Sequence, residues 1–135
     1  GRLDIGIVSA KGVLPQKLTY SELQTYPCLA MFESDLSIDS DRLSYSKGSA
    51  MMKIDDVSTL KSFLLSGAGW AMMSLEHCDT EIKAGLLQEI HITDREHKFS
   101  AQIRAFRQHA MHHGPVARTI WEQFKVLSEA YLNER

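Results

Sequence analysis

The sequence predicts an α/β domain with a largely parallel sheet flanked by helices. Residues 3–8, 28–32 and 70–73 are short, almost continuously apolar segments, and such segments are typical of strands that are covered on both faces. Amphipathic segments alternate with them along the chain, which favours helices packed on a sheet. The length of 135 residues is enough for one ordinary domain with its own core.

Composition and charge exclude several classes of protein. The chain is 44% hydrophobic and 24% charged, which argues against disorder. Its net charge of -2 provides no diffuse basic surface for nucleic acid. No apolar run reaches the roughly 18 residues of a membrane span, and no charged-then-apolar leader opens the chain. We therefore expect a cytoplasmic protein with no membrane partner.

The two cysteines, Cys28 and Cys78, are far apart and belong to no CxxC motif. They suit a reducing compartment, and we expect two buried free thiols rather than a single bridge between them.

The first half of the chain contains clear helix and strand signals. Thr19 is placed to cap one helical turn at 20–23, and Pro27 opens the strand at 28–32. Residues 33–49 carry six serines and predict a loop with a short helix near 41–46. A strand follows at 50–54. Asp55 and Asp56 then precede a helix that Gly67 ends. The apolar face of that helix is predicted to hold Val57, Leu60, Phe63 and Leu64.

The second half continues the alternation. The strand at 70–73 precedes a short helix at 78–84, which ends at Gly85. Residues 86–92 are predicted to be extended. In residues 99–105 apolar and polar side chains alternate, which predicts a strand with one face exposed to solvent. The last helix begins at Pro115. Its apolar stripe consists of Val116, Ile120, Phe124, Leu127 and Tyr131.

The candidate motifs for catalysis, cofactor binding and metal binding are each incomplete or wrongly placed. Residues 67–69 read Gly-Ala-Gly, but they follow a helix and open a strand, the reverse of a dinucleotide-binding turn. The chain has no phosphate-binding GxxxxGK[ST] and no GxSxG nucleophile elbow. His109, His112 and His113 have a spacing that can bind zinc or copper, but no Cys, Asp or Glu nearby completes the ligand set. We predict no catalytic residue, no cofactor and no metal.

Several short motifs run in one order through nearly the whole chain. They are the strand at 4–7, Tyr26-Pro27 before a strand, the helix and Gly-x-Gly within 57–73, Ala84-Gly85-Leu86-Leu87, and residues 114–118 followed by Phe124. Together they resemble the effector-binding domain of LysR-type transcriptional regulators, which has the periplasmic-binding-protein type 2 architecture of two lobes.

The resemblance implies a division of the chain between the two lobes. Residues 1–12 match a fragment of the first lobe, 13–103 the second lobe, and 104–135 the end of a return strand with the C-terminal helix of the first lobe. The winged helix-turn-helix and the first elements of the first lobe are missing, and the segment between Val8 and Leu18 is shorter than usual. Leu75-Glu76 replaces the usual proline after the apolar strand. Exposed apolar surface on such a fragment would favour self-association.

A sensor rather than an enzyme is the function that the resemblance implies. A small effector, often anionic, binds between the lobes. Closure of the lobes then shifts a homodimer or homotetramer toward another arrangement on promoter DNA. The DNA is contacted only through the missing helix-turn-helix domain. The alternative is a solute-binding domain, or a metal-dependent enzyme domain that uses the histidine loop, of similar α/β architecture.

The effector site is expected where the carboxyl ends of strands meet helix N-termini, as in other open α/β sheets. Serine hydroxyls and helix N–H groups there can donate to a ligand. The negative charges of Asp55 and Asp56 would repel an anion bound at the start of this helix. These residues therefore either serve only to cap the helix or favour a cationic or neutral effector. The predicted effector-binding residues are Ser9, Phe32, Ser34, Asp56, Val57, Ser58 and Ser74.

Overall fold

The computed structural model describes residues 1–31, 49–102, 104, 106 and 114–133. The chain divides into two compact units. One unit consists of Asp4–Ser100, and the other consists of Gly1–Leu3 with Ala101–Arg135. The lobe boundaries near residues 12 and 103 stay a prediction.

Seven strands and four helices lie in the described residues. In chain order they are β1 Arg2–Ala10, β2 Lys17–Leu18, α1 Tyr20–Leu23, β3 Cys28–Met31, β4 Met51–Ile54, α2 Val57–Leu65, β5 Trp70–Ser74, α3 Leu75–Lys83, β6 Leu87–Ile92, β7 Phe99–Gln102 and α4 Pro115–Asn133. Among them, no helix is both long enough and apolar enough to cross a membrane.

The strands form one mixed sheet in the order β2-β6-β1-β5-β3-β4, and β7 pairs with β1. β3 runs parallel to β4 and β5, and β2 runs parallel to β6. β1 is antiparallel to both of its neighbours, β5 and β6. Five of the six strands in that order therefore share one direction, which confirms the predicted α/β fold with a largely parallel sheet. β1, in the middle of the sheet, is the exception.

The core has two layers, one on each face of the sheet. On one face, Leu60 and Leu64 of α2 and Cys78 of α3 pack with Val8 and Leu29. The other face carries a second cluster made of Ile7, Leu14, Leu18, Leu23, Cys28, Trp70, Ile90 and Ile92. Ile7 and Val8 are neighbours on β1 and both are fully buried. The continuous apolarity of this strand therefore reflects cover on both faces, as predicted.

Local capping signals place the helices. Thr19 caps α1 with a reciprocal capping box to Glu22, and Asp56 caps α2. α3 begins at Leu75, earlier than the predicted residue 78, because the hydroxyl of Ser74 accepts the His77 N–H and caps the helix there.

Two details of α2 and α3 refine the predictions. Gly67 and Gly85, which follow the two helices, have φ values of 80° and 74°, so both helix stops are confirmed. On α2, Leu60 and Leu64 are buried, whereas Val57 and Phe63 are 39% and 38% exposed. The predicted apolar face was too wide, because residues 57 and 63 lie on the two flanks of the stripe that faces the sheet.

Some predictions fall outside the described residues, including the short helix near 41–46 and the end of the strand predicted at 99–105. β2 was not predicted, because a strand of two residues leaves no periodicity to read. Both cysteines are buried free thiols, as expected.

Candidate functional site

The candidate site is one edge of the sheet, here called the carboxyl edge. β3, β4, β5 and β6 end there at Met31, Ile54, Ser74 and Ile92, and α2 and α3 begin there. β1 runs the other way and therefore begins at this edge, where Ile5 pairs with Ser74. The carboxyl edge combines two helix N-termini with the first residues of the central strand.

At the start of α2, the Asp56 carboxylate accepts a hydrogen bond of 2.8 Å from the backbone N–H of Thr59. Hydrogen bonds from Thr59, with a smaller one from the Ser58 backbone, hold the pKa of Asp56 below its usual value. Asp55 and Ser58 are exposed, and so is Val57. The start of α2 thus presents a carboxylate, a hydroxyl and an apolar side chain to solvent.

At the start of α3, a polar network joins three elements. The Ser74 hydroxyl donates to Glu76 Oε2 at 2.8 Å, and Glu76 Oε1 accepts from the Asp4 backbone N–H at 3.1 Å. The Asp4 carboxylate in turn accepts from the hydroxyl of Ser100. The bond from the Asp4 amide is the largest cause that lowers the pKa of Glu76. Glu76 is therefore ionised, and it links α3 to β1.

A third cluster lies where β6 ends. Asp94 Oδ1 accepts a hydrogen bond of 2.9 Å from the Tyr20 backbone N–H. The guanidinium of Arg95 lies 3.6 Å from the centre of the Tyr20 ring, a cation–π contact. This cation is thus stacked on an aromatic ring.

The structure separates the predicted site residues. Asp56, Val57, Ser58 and Ser74 lie at the carboxyl edge. Ser9 does not, because β1 is antiparallel and ends beside Trp70, the first residue of β5. Ser9 and Ser74 are thus about 13 Å apart along the strand direction, at roughly 3.3 Å per residue.

Ser9 lies in the protein interior, where its hydroxyl makes internal contacts. Its side chain is fully buried, its hydroxyl donates to the Ala10 carbonyl at 3.1 Å, and the Gln88 amide lies 3.4 Å away. Phe32 and Ser34, and the histidines at 109, 112 and 113, lie outside the described residues. The effector-binding roles of these side chains stay predictions.

The carboxyl edge presents hydroxyl and carboxylate groups, which can form hydrogen bonds with a ligand. Both thiols are buried, and burial raises the pKa of Cys28 to about 11, which leaves a neutral, unreactive thiol at that position. Within the described ranges, no group of three His, Cys, Asp or Glu side chains is placed to hold a metal ion.

Sequence reasoning missed Asp4, Glu76, Asp94 and Ser100. Glu76 had a local signal, since an acidic residue in the first turn of a helix is a usual feature. Asp4 and Ser100 had none, because they are 96 residues apart in sequence and meet only through the antiparallel placement of β1.

Several solved regulatory domains have a fold similar to that of this chain. The bromide-bound regulatory domain of HypT from Salmonella typhimurium has a TM-score of 0.72 at 20% identity, over 96% of this chain and 63% of that one. Full-length HypT, described as a hypochlorite-specific LysR-type transcriptional regulator, has a TM-score of 0.66 at 17% identity over 96% of this chain and 45% of its own. The regulatory domain of CrgA, a LysR-type regulator from Neisseria meningitidis, has a TM-score of 0.53 at 21% identity, covering 74% of this chain and 54% of that one.

No family model matches the sequence, and no curated protein matches it significantly. At these identities the structural likeness establishes the fold. This chain has the periplasmic-binding-protein-like fold of LysR-type regulatory domains, and the predicted resemblance is confirmed at that level. The chain spans slightly less than two thirds of the length of the HypT regulatory domain.

Proposed function

We propose that this chain is the ligand-sensing part of a LysR-type transcription regulator. The observation that carries this proposal is the agreement of 96% of the chain with a solved regulatory domain. The protein then works in the cytoplasm as a homodimer or homotetramer without catalytic activity, and it acts on promoter DNA only through a separate helix-turn-helix domain.

We further propose that the effector binds at the carboxyl edge. In open α/β sheets, ligands bind outside the carboxyl ends of the strands. Ser58, Ser74 and Asp56 supply hydroxyl and carboxylate groups there, and Val57 supplies an exposed apolar contact. Ser9 is left out of this proposal because it lies at the opposite edge of the sheet.

The chemistry of the edge favours a cationic or neutral effector over an anion. A helix N-terminus normally attracts anions. Here the carboxylate of Asp56 caps α2, and Glu76 places a second carboxylate in the first turn of α3. Asp4 and Asp94 add acidic groups nearby. A ligand with amine, amide or hydroxyl donors would find acceptors here, whereas a carboxylate would meet like charge.

Binding at this edge can be coupled to the rest of the sheet. The hydroxyl of Ser74 belongs to the network that joins α3, β1 and β7 through Glu76, Asp4 and Ser100. A ligand that competes for Ser74 therefore changes the contacts of the central strand. Differential contacts of this kind are what a ligand needs in order to shift a conformational equilibrium.

The experiment compares small molecules that share one carbon skeleton and differ in carrying an amine, an alcohol or a carboxylate. Calorimetric binding to the whole chain is measured for each, and the tightest binder is then tested on Ser58→Ala. We expect an amine or alcohol to bind best. Loss of one hydrogen bond, about 1 kcal/mol, should weaken it roughly fivefold.

A matched control lies on the same helix. Ser66 caps the far end of α2 and donates to the Phe63 carbonyl, so Ser66→Ala should leave binding unchanged. A best ligand whose affinity is insensitive to both Ser58→Ala and Ser74→Ala would contradict the proposed site. A carboxylate that binds tenfold tighter than its amine counterpart would contradict the proposed charge.

A further inference from the structure

Arg95 is a cation at the carboxyl edge that the proposed function leaves unused. It follows the end of β6 at Ile92, and it is exposed. Among the residues that the structure describes, no carboxylate forms an ion pair with its guanidinium. The guanidinium is therefore available for charge-assisted hydrogen bonds to an anionic group of a ligand.

The ring of Tyr20 holds this guanidinium in one plane. The central carbon of the guanidinium lies 3.6 Å from the centre of the ring, so the group lies flat on the ring in a cation–π contact. Stacking through a flat face leaves the N–H groups at the edge of the guanidinium available. These N–H groups form the fork that matches the two oxygens of a carboxylate.

The ring under Arg95 is itself fixed in place. Tyr20 is the first residue of α1, and it packs half-buried against the core cluster that contains Ile90 and Ile92. Its backbone N–H donates to Asp94 Oδ1 at 2.9 Å. The carboxylate next to Arg95 in sequence is thus bound to the backbone of α1 rather than to the guanidinium. Arg95 is positioned before a ligand arrives, which lowers the entropic cost of binding.

Two strand spacings separate Arg95 from the hydroxyl and carboxylate groups at the start of α3. β1 pairs with β5 on one side and with β6 on the other. Neighbouring strands are about 4.8 Å apart, so β5 and β6 are about 10 Å apart. Ser74 and Glu76 bind each other at the end of β5, and Arg95 follows the end of β6. A chain of several carbon atoms can extend from one place to the other.

The two ends of this edge select opposite charges. Around Ser74, the carboxylates of Asp56 and Glu76 favour a ligand group that donates hydrogen bonds, whereas Arg95 favours an acceptor with negative charge. A molecule with one charge satisfies only one of these places. A molecule with an ammonium group at one end and a carboxylate at the other satisfies both, and its net charge is zero.

We propose that the effector is amphoteric, with its ammonium group beside Ser74 and Glu76 and its carboxylate on Arg95. This inference rests on the proposed function, because it takes the carboxyl edge as the effector site. It makes Arg95 a specificity-determining residue for the carboxylate and Tyr20 the residue that positions Arg95.

The test compares ε-aminocaproate with hexylamine, which has the same number of carbon atoms and a methyl group in place of the carboxylate. Each is titrated into the isotope-labelled full chain, and NMR chemical shifts give the dissociation constants. We expect ε-aminocaproate to bind at least about tenfold tighter, because its carboxylate gains charge-assisted hydrogen bonds. Arg95→Gln should remove this preference and leave the affinity for hexylamine largely unchanged.

Matched variants separate the charge of Arg95 from its position. Lys83 is the last residue of α3, at the opposite edge of the sheet, so Lys83→Gln removes a positive charge there and should keep the preference. Tyr20→Phe keeps a ring under the guanidinium and should also keep it. Tyr20→Leu removes the stacking and should reduce the preference roughly two- to fivefold while hexylamine binds as before.

The outcomes distinguish this inference from the proposed function. The inference is overturned if ε-aminocaproate does not bind, if it binds no tighter than hexylamine, or if its preference survives Arg95→Gln. The proposed site is read from a different comparison, the affinity of hexylamine for the parent chain and for Ser58→Ala. Weaker binding to Ser58→Ala supports the carboxyl edge as the site, whatever the result at Arg95.

Discussion

The junction between β3 and β5 should tolerate no side chain at Gly69. A Cβ built there would overlap the carbonyl oxygen of Pro27 and lie 3.0 Å from the carbonyl carbon. That oxygen also accepts the backbone N–H of Trp70 at 3.0 Å, and the indole N–H of Trp70 donates to the Tyr26 carbonyl at 3.1 Å. Gly69→Ala must therefore push β3 away from the strand that carries the largest buried side chain of the core.

The size of the effect follows from these contacts. Overpacking costs about 1–3 kcal/mol, and the weakened hydrogen bond from Trp70 to Pro27 adds about 1 kcal/mol. We expect Gly69→Ala to lower the free energy of unfolding by roughly 2–4 kcal/mol. The measurement is urea unfolding followed by tryptophan fluorescence in a Trp121→Phe background, so that Trp70 alone reports on this unit.

Two other glycines separate the contributions of overlap and backbone strain. Gly12 has a φ of 82° but nothing within 4 Å of its added Cβ, so Gly12→Ala should cost only the left-handed backbone strain of about 1 kcal/mol. Gly114 has no left-handed φ and no atom within 4 Å of an added Cβ. The free energy of unfolding of Gly114→Ala should therefore stay within about 0.5 kcal/mol of that of the parent chain. If Gly69→Ala unfolds at the same urea concentration as Gly114→Ala, the close approach of Pro27 to β5 is refuted.

Three further predictions concern pH, thiol reactivity and packing. The pKa values of Asp56 and Glu76 are lowered in the folded chain from the ordinary values of 3.8 and 4.5. The two carboxylates therefore contribute fully to stability above these ordinary values, and the contribution is lost as the pH falls below them. Thermal melts between pH 6 and pH 3 should show this loss of stability, and Glu76→Gln should make the loss smaller. Cys28, whose pKa is about 11, should react with a thiol reagent at pH 8 only at the rate of unfolding, and rapid labelling without urea would contradict its burial. Leu64→Ala should cost about 2–5 kcal/mol because the side chain is fully buried, whereas Phe63→Ala should cost less than half as much in the same urea titration.

Elements whose signals are local could be predicted from the sequence. Thr19 and Asp56 cap the helices that directly follow them, and Gly67 and Gly85 stop helices in the left-handed conformation. Each of these signals involves residues within one helical turn, so no tertiary contact is needed to read it. The α/β fold and most strand positions follow from the same local information.

The direction of β1 could not be predicted, because a buried antiparallel strand is as apolar as a buried parallel one. The pairing of Ile5 with Ser74 and of Ser9 with Trp70 depends on how the chain returns after β1. This single feature removes Ser9 from the carboxyl edge and brings Asp4 to it. The part of the candidate site that sequence reasoning found, at Asp56 and Ser74, is the part that belongs to parallel strands followed directly by helices.

In the regulators that this chain resembles, a proline usually follows the strand that corresponds to β5, and here Leu75-Glu76 stands in its place. This replacement connects the antiparallel strand β1 to the candidate site. A proline after β5 would offer neither a carboxylate nor a backbone N–H. Glu76 instead places its carboxylate between the Ser74 hydroxyl and the amide of Asp4, and that amide is within reach only because β1 begins at this edge. The same carboxylate lies in the first turn of α3, and its negative charge opposes an anionic ligand at that helix N-terminus. Under the proposed function, the departure from the family's motif and the preference for a cationic or neutral effector thus have one physical cause.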